Sequence, residues 1–275
     1  MEMPKKGEKI NKENYEIITD SLWIFDERDK SFGHSGWYHG NFIPQIPRQL
    51  ILRFTHEGDV VVDPFLGSGT SLIECVKLKR NGIGVELVPK VAKLAQTNIQ
   101  KILKNLFQNT NNNLFYEVIT GDSTNKNTLD SVKNILLNKN KKYVQLVIMH
   151  PPYHDIIKFS NLPEDLSNTK DISEFLDKFS QSVNLFLEIL QSQGHLCVVI
   201  GDKYSKGEWV PLGFLVMDRI RNDFKKQLVL KSIIVKNIVN NRGKRNQENL
   251  WRYRALKGGF YIFRHEYILI FKKIQ

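Results

Sequence analysis

DVVVDPFLGSGT, residues 59–70, decides how the rest of the chain is read. Val60, Val61 and Val62 make the short apolar run that a strand buried on both faces requires, and Asp63-Pro64 ends it. Gly67 and Gly69 follow, residues at which the backbone can take positive φ and approach a ligand closely. From Ser68 to Lys79 the pattern is helical, with Leu72, Ile73, Val76 and Leu78 facing inward. A strand, a glycine turn and a helix in that order put residues 63–70 in the crevice where open α/β sheets bind ligands. The glycine spacing is neither G-x-G-x-x-G nor G-x-x-x-x-G-K-[ST], which disfavours a pyrophosphate or nucleoside triphosphate.

The alternation continues on both sides. A helix is expected over residues 48–56, before the first strand. Strands are expected at 82–86, 115–120, 144–149 and 196–200, with helices at 88–107, 128–137, 172–190 and 211–224. Two long β-type runs, 228–239 and 260–271, close the chain with a basic loop between them. Strands alternating with helices give a parallel sheet with right-handed crossovers. The last two runs have no helix between them and read as an antiparallel hairpin at one edge. The expectation is one doubly wound domain, with residues 1–38 as an N-terminal arm and loop.

Composition narrows the class. The chain has 275 residues with a net charge of +11, 41% hydrophobic and 25% charged residues. Those fractions fit a globular protein and exclude wholesale disorder. Cys75 and Cys197 both lie in apolar runs, so neither a disulfide framework nor a Cys-ligated metal is expected. The first sixteen residues lack the apolar segment of a signal peptide, and no apolar stretch approaches a membrane span. A soluble, cytoplasmic protein is expected. The positive charge fits a polyanionic partner, and it equally fits a solvated surface of a Lys-rich chain.

Two further features surround the glycine loop. Glu86 ends the second strand, where a carboxylate accepts hydrogen bonds from ribose hydroxyls, and Asp122 ends the third, where an acceptor meets an adenine amino group. Each alone could be a helix cap, but three acids at successive strand ends describe an adenosine pocket without a phosphate cradle. The fourth strand ends in His150-Pro151-Pro152-Tyr153. Two prolines fix the backbone and remove two donors, leaving carbonyl acceptors rigidly presented beside an aromatic face. A planar base carrying an exocyclic amine suits that arrangement.

DPFLGSGT (63–70), GVE (84–86), GD (121–122) and HPPY (150–153) together resemble the amino-group DNA methyltransferases, which modify adenine N6 or cytosine N4 using S-adenosylmethionine. The resemblance covers residues 39–271. It implies a single Rossmann-like methyltransferase domain over 39–275, with a mostly parallel seven-stranded sheet and an antiparallel edge hairpin. It implies a cofactor site from Asp63, Pro64, Phe65, Gly67, Ser68, Gly69, Thr70, Glu86 and Asp122. The segment HGNFIPQIP (39–47) is similar to the one that helps hold the methionine part, which adds His39, Pro44 and Gln45. RHEYI (264–268) looks like the last core strand. His150, Pro151, Pro152 and Tyr153 would form the catalytic tetrad, with no metal.

The tetrad departs from the family pattern, which opens with Asp, Asn or Ser. A neutral His150 can accept a hydrogen bond from an amine, whereas a protonated one repels it. Adenine and cytosine stay open as targets. Residues 122–150 leave room for only one helix, so no target-recognition domain fits there. A separate recognition subunit or a homodimer is therefore among the expected partners, besides DNA. The loop 240–258 carries Arg242, Lys244, Arg245, Arg252 and Arg254 interleaved with Trp251 and Tyr253, the pattern of phosphate contacts with stacking. With residues 154–170 and 202–210 it is the candidate recognition surface. His154-Asp155 reads poorly as an acid–base pair, because adjacent side chains diverge. His195 and His265 read as core or surface residues. The alternatives are an RNA base-amine methyltransferase and one subunit of a heteromeric enzyme.

Overall fold

The computed structural model describes residues 16–34, 36, 38–106, 113–238 and 248–274. Its elements in chain order are β1 (Leu22–Trp23), α1 (Gln45–Phe54), β2 (Val60–Asp63), α2 (Thr70–Lys77), β3 (Asn81–Glu86), α3 (Pro89–Leu106) and β4 (Tyr116–Thr120). They continue as α4 (Lys126–Asn138), β5 (Val144–Met149), α5 (Ile172–Ile189), β6 (Leu190–Ile200), β7 (Lys203–Ser205) and β8 (Glu208–Val210). The chain closes with α6 (Leu212–Asp223), β9 (Leu228–Asn237), α7 (Glu248–Gly258) and β10 (His265–Lys273).

Eight strands form one sheet in the order β1-β9-β10-β6-β5-β2-β3-β4. Only β10 runs against its neighbours β6 and β9. The doubly wound reading therefore holds, with one more strand than the seven expected. The hairpin of β9 and β10 is not at the edge: Leu22 and Trp23 pair in parallel with Val235 and Lys236 on the outside of β9. The physical reason is burial, since Trp23 is almost fully enclosed and covers the edge that β9 would expose. The expected loop 240–258 also needs correction. Residues 248–258 are helical, and residues 239–247, which include Arg242, Lys244 and Arg245, lie outside the described residues.

The apolar run of β2 explains the layering. Val60 and Val62 pack with Phe175, Phe179, Phe186 and Val216 of α5 and α6 on one face of the sheet. Val61 faces the other side and packs with Leu50, Leu72, Ala95 and Ile99 of α1, α2 and α3. A strand covered on both faces shows no polar alternation, as its sequence anticipates. After β4 the chain crosses back to lay β5 on the opposite side of β2, so β2 and β5 flank the switch point of the sheet. Cys75 and Cys197 are buried and unbonded. Among the described residues no helix is long and apolar enough to cross a membrane.

A buried ionic clasp ties the N-terminal segment to this frame. Glu74 of α2 is fully buried and accepts hydrogen bonds from Arg48 Nε at 2.8 Å and His34 Nε2 at 2.7 Å. Arg48 also reaches Asp29. Burial alone would raise the Glu74 carboxyl, and the bonds from His34 and Arg48 instead hold it below the usual carboxylate range. Removing the shared carboxylate strands two buried donors. Glu74→Ala is expected to lower unfolding stability by about 3–5 kcal/mol in denaturant titration, and a loss under about 1 kcal/mol would contradict the clasp.

Candidate active site

β2 ends at Asp63, and the chain turns over the sheet edge through residues 64–69. Gly69, at φ +91°, is the left-handed residue that starts α2, and Gly67 sits at φ +56°. A Cβ on Gly67 would meet the Tyr38 ring at 3.0 Å, so only glycine lets the turn lie this close to the overlying aromatic. The turn is pinned from below: Gly67 N donates to Glu86 Oε2 at 2.8 Å, and Leu66 N to Val85 O at 2.9 Å. Glu86 Oε1 accepts from Val88 N at 2.9 Å. Each carboxylate oxygen retains a lone pair for a ligand. Burial pushes the Glu86 carboxyl above its ordinary range.

A cavity of about 840 Å³ opens along this edge. Pro64, Phe65, Gly67, Thr70, Glu86 and Asp122 line it, as do His39 and all four residues of His150-Pro151-Pro152-Tyr153. The structure thus brings the glycine turn, the two strand-end acids and the HPPY segment onto one wall. Asp63, Ser68, Gly69, Pro44 and Gln45 do not line it. Asp63 lies beneath the turn, accepting from Phe65 N and Ser71, and burial raises its carboxyl to about 7. Gln45 instead holds the N-terminal segment. Its Nε2 donates to Glu27 O at 2.7 Å and its Oε1 accepts from Asp29 N at 3.2 Å.

The HPPY segment is held by a hydrogen-bond relay. His150 Nε2 lies 3.1 Å from the Tyr153 hydroxyl, which donates to Glu266 Oε2 at 2.9 Å. Lys236 Nζ donates to Glu266 Oε1 at 3.0 Å. Burial, with the nearby Lys236 ammonium adding to it, lowers the His150 pKa to about 4, although Glu266 opposes the shift. Burial and Glu266 push the Tyr153 phenol well above its usual value, so it keeps its proton. One edge of the Tyr153 ring rests on Gly201, where a Cβ would come within 2.7 Å of it. Phe42 packs against the His150 ring at 4.8 Å between centroids.

Further walls of the cavity come from the segments 154–170 and 202–210, expected as part of a recognition surface, and from Tyr38 and Glu266, which the sequence does not single out as site residues. Tyr38 stacks on Phe159 at 5.8 Å and lines it, as do Asp165, Asp202, Lys203 and Glu266. Asp202, at the start of the segment 202–210, follows β6 in a Gly-Asp pair like Gly121-Asp122, a second sequence signal for it. Lys203 draws His154 and Asp155 together: its Nζ lies 2.7 Å from His154 Nδ1 and 2.5 Å from Asp155 Oδ1. The two adjacent side chains therefore converge, contrary to expectation, because buried His154 takes a positive φ of 53°. His195 stacks on Phe54 and His265 contacts the Tyr267 hydroxyl, both away from the cavity lining.

At the rim, Trp251 of α7 lines the cavity while Arg252 and Arg254 do not. The Arg254 guanidinium sits 5.5 Å from the Trp251 ring centroid. Tyr261, 89% exposed, continues this aromatic wall, and Phe260 stacks on Tyr204 at 4.1 Å.

The profile of the DNA methylase family matches residues 1–97 and 144–275. The chain belongs to this family. It is 33% identical over 114 residues to the type II methyltransferase M.MjaII of Methanocaldococcus jannaschii, covering 40% of this chain and 21% of that protein. It is 31% identical over 93 residues to the type II methyltransferase M.BglI of Bacillus subtilis, covering 34% of this chain and 26% of that one. The likeness thus spans about a quarter or less of these relatives' length. Among solved structures, TrmN of Thermus thermophilus superposes with a TM-score of 0.50 at 12% identity over 86% of this chain and 50% of its own. That likeness concerns the fold, a Rossmann-like methyltransferase domain.

The lowered His150 pKa has a measurable consequence. The folded state resists protonating this imidazole, so its contribution to stability is complete above about pH 6.5 and is lost as pH falls toward the folded value. His150 resonances, followed by NMR, should show no titration from about pH 5 to 8, and a midpoint near 6.5 would contradict the burial argument.

Proposed function

We propose that this chain is an S-adenosylmethionine-dependent DNA methyltransferase acting on the exocyclic amine of adenine (N6) or cytosine (N4), in the cytoplasm and within a restriction–modification or related system. The observation that carries the reading is one cavity wall holding both a phosphate-free nucleoside cradle and the HPPY segment with a neutral imidazole. Membership of the DNA methylase family supports it.

The residues present fit the cofactor. Gly67 lets the backbone approach closely, Glu86 offers acceptors for two hydroxyls, and Asp122 offers an acceptor for an adenine amine. Asp122 is itself fixed by Thr124, whose N and Oγ1 both lie 2.8 Å from Oδ1. S-adenosylmethionine, when bound, supplies a methyl group on a sulfonium.

The chain's own residues prepare the amine. An aromatic amine is a weak nucleophile because its lone pair is delocalised into the ring. Acceptors at both amine protons push electron density back onto nitrogen. His150 supplies one and the Pro151 carbonyl the other. The Pro151-Pro152 backbone holds these acceptors in fixed geometry for in-line transfer. The Tyr153 ring offers a stacking face to a base that has left its duplex, and Gly201 keeps that ring in place. The wall of Trp251, Tyr261 and the basic face of α7 is the proposed contact with nucleic acid, extended by Arg242, Lys244 and Arg245 beyond the described residues. A homodimer or separate recognition subunit would add target selectivity.

Two expected outcomes check this reading. Tyr153→Ala should lower DNA methylation about a hundredfold or more while S-adenosylmethionine binding, measured by calorimetry, survives. Unimpaired turnover would defeat the tetrad assignment. Arg252→Glu with Arg254→Glu should weaken duplex binding and reduce the slope of log affinity against log salt by about 2, and an unchanged affinity at low salt would remove α7 from the interface.

A further inference from the structure

The relay that ends on His150 has a direction, and each partner can play only one role in it. Glu266 and Lys236 stand directly opposite each other on β10 and β9, and both are buried. The ammonium has only protons to give, and it gives one to Glu266 Oε1 at 3.0 Å. The carboxylate of this ion pair only accepts. Tyr153 therefore donates its single proton to Glu266 Oε2 at 2.9 Å. With that proton committed, the phenol oxygen can only accept from His150 Nε2, 3.1 Å away. A neutral imidazole carries one N–H, so a proton on Nε2 leaves Nδ1 with its lone pair. Nδ1 accepts no hydrogen bond from the described residues, and the ring forms part of the cavity wall.

We propose that Lys236 and Glu266 are positioning residues that act through Tyr153 to lock His150 in the Nε2–H tautomer, so that Nδ1 is the acceptor presented to the substrate amine. This inference rests on the amine-methyltransferase reading of the same site and adds how a histidine can open the tetrad. Asp, Asn and Ser carry an oxygen acceptor in every neutral or ionised form. A neutral histidine always has one acceptor nitrogen, and only the correct tautomer turns it toward the amine. The other tautomer would set an N–H against the amine's own N–H. In this chain the choice is made by two residues on neighbouring strands, far in sequence from the tetrad. Tyr153 then serves twice, its ring as a stacking face and its hydroxyl as the link that transmits the choice.

The relay can be reversed by changing one atom type. In Glu266→Gln, the Lys236 ammonium still needs an acceptor and takes the amide oxygen. The amide NH₂ is left facing Tyr153 and donates to the phenol oxygen. The phenol proton then turns to His150 Nε2, which forces the proton onto Nδ1. The shape of the site is retained while the polarity of every link beyond Lys236 is inverted.

The experiment uses the full chain with ¹⁵N-labelled histidine, the His150 signals being assigned by their loss in His150→Asn. In the wild type, Nε2 should show a pyrrole-type shift and Nδ1 a pyridine-type shift, and in Glu266→Gln the two should interchange. In the same preparations, kcat for DNA amine methylation should fall about a hundredfold in Glu266→Gln. KM for DNA and the dissociation constant for S-adenosylmethionine should stay within about threefold of wild type. A wild-type spectrum with the proton on Nδ1 overturns the inference, and this measurement needs no variant to fold. A Glu266→Gln protein that turns over like the wild type overturns it as well. Should wild-type chain methylate no nucleic acid yet show the Nε2–H tautomer, the functional reading fails and the relay stands.

Discussion

The parallel pairing of β2 with β5 is the constraint on which the rest of the structure depends. Val61 pairs with Leu146 and Val62 with Val147, so the strands carrying the glycine turn and HPPY end at the same edge of the sheet. A one-residue slip would exchange the two faces of β5 and move its apolar side chains between the two cores. The register is held because β2 is buried on both sides, with Val60 and Val62 in one core and Val61 in the other. From this pairing follow the position of the cavity and the meeting of its two halves. β3 and β4 then add Glu86 and Asp122 on one side, and β6 adds Gly201 and Asp202 on the other.

Segments outside the parallel core complete the site. The N-terminal segment is fastened by the Arg48–Glu74–His34 cluster and by Arg28 Nη1 donating to Phe42 O at 3.0 Å. It thereby steadies Tyr38 and Phe42, which close over Gly67 and His150. At the other end of the chain, β9 and β10 bring Lys236 and Glu266 beneath HPPY. The polar groups buried here are joined to one another, so the cost of their desolvation is offset by charge-assisted bonds. The same burial keeps His150 neutral, the form in which an imidazole can accept a hydrogen bond from an amine.

Much of this was legible in the sequence, for identifiable reasons. A turn that requires glycine at two positions announces itself, and so does an apolar run too short for a helix. Glu86 and Asp122 were legible because strand ends were, and HPPY because two consecutive prolines restrict the backbone. The rest depends on contacts between distant segments. β1 is a two-residue strand whose identity comes only from its partner β9. Glu266 and Lys236 matter through a cross-strand pair and a tyrosine that lies 113 residues before Glu266 in sequence. α7 has no apolar stripe to mark it, so its charges and aromatics read as a loop. Gln45 and Asp63 sit at the expected positions in sequence but support the cavity from outside its lining.

The proposed chemistry is methyl transfer, at this edge of the sheet, to a nitrogen outside a nucleic-acid base ring. The most direct measurement incubates the full chain with isotopically labelled S-adenosylmethionine and unmodified duplex DNA, tRNA and rRNA in parallel, then digests each to nucleosides for mass spectrometry. Label is expected in the DNA alone, as N6-methyladenine or N4-methylcytosine. Label on a ring carbon, or in RNA with none in DNA, would contradict it.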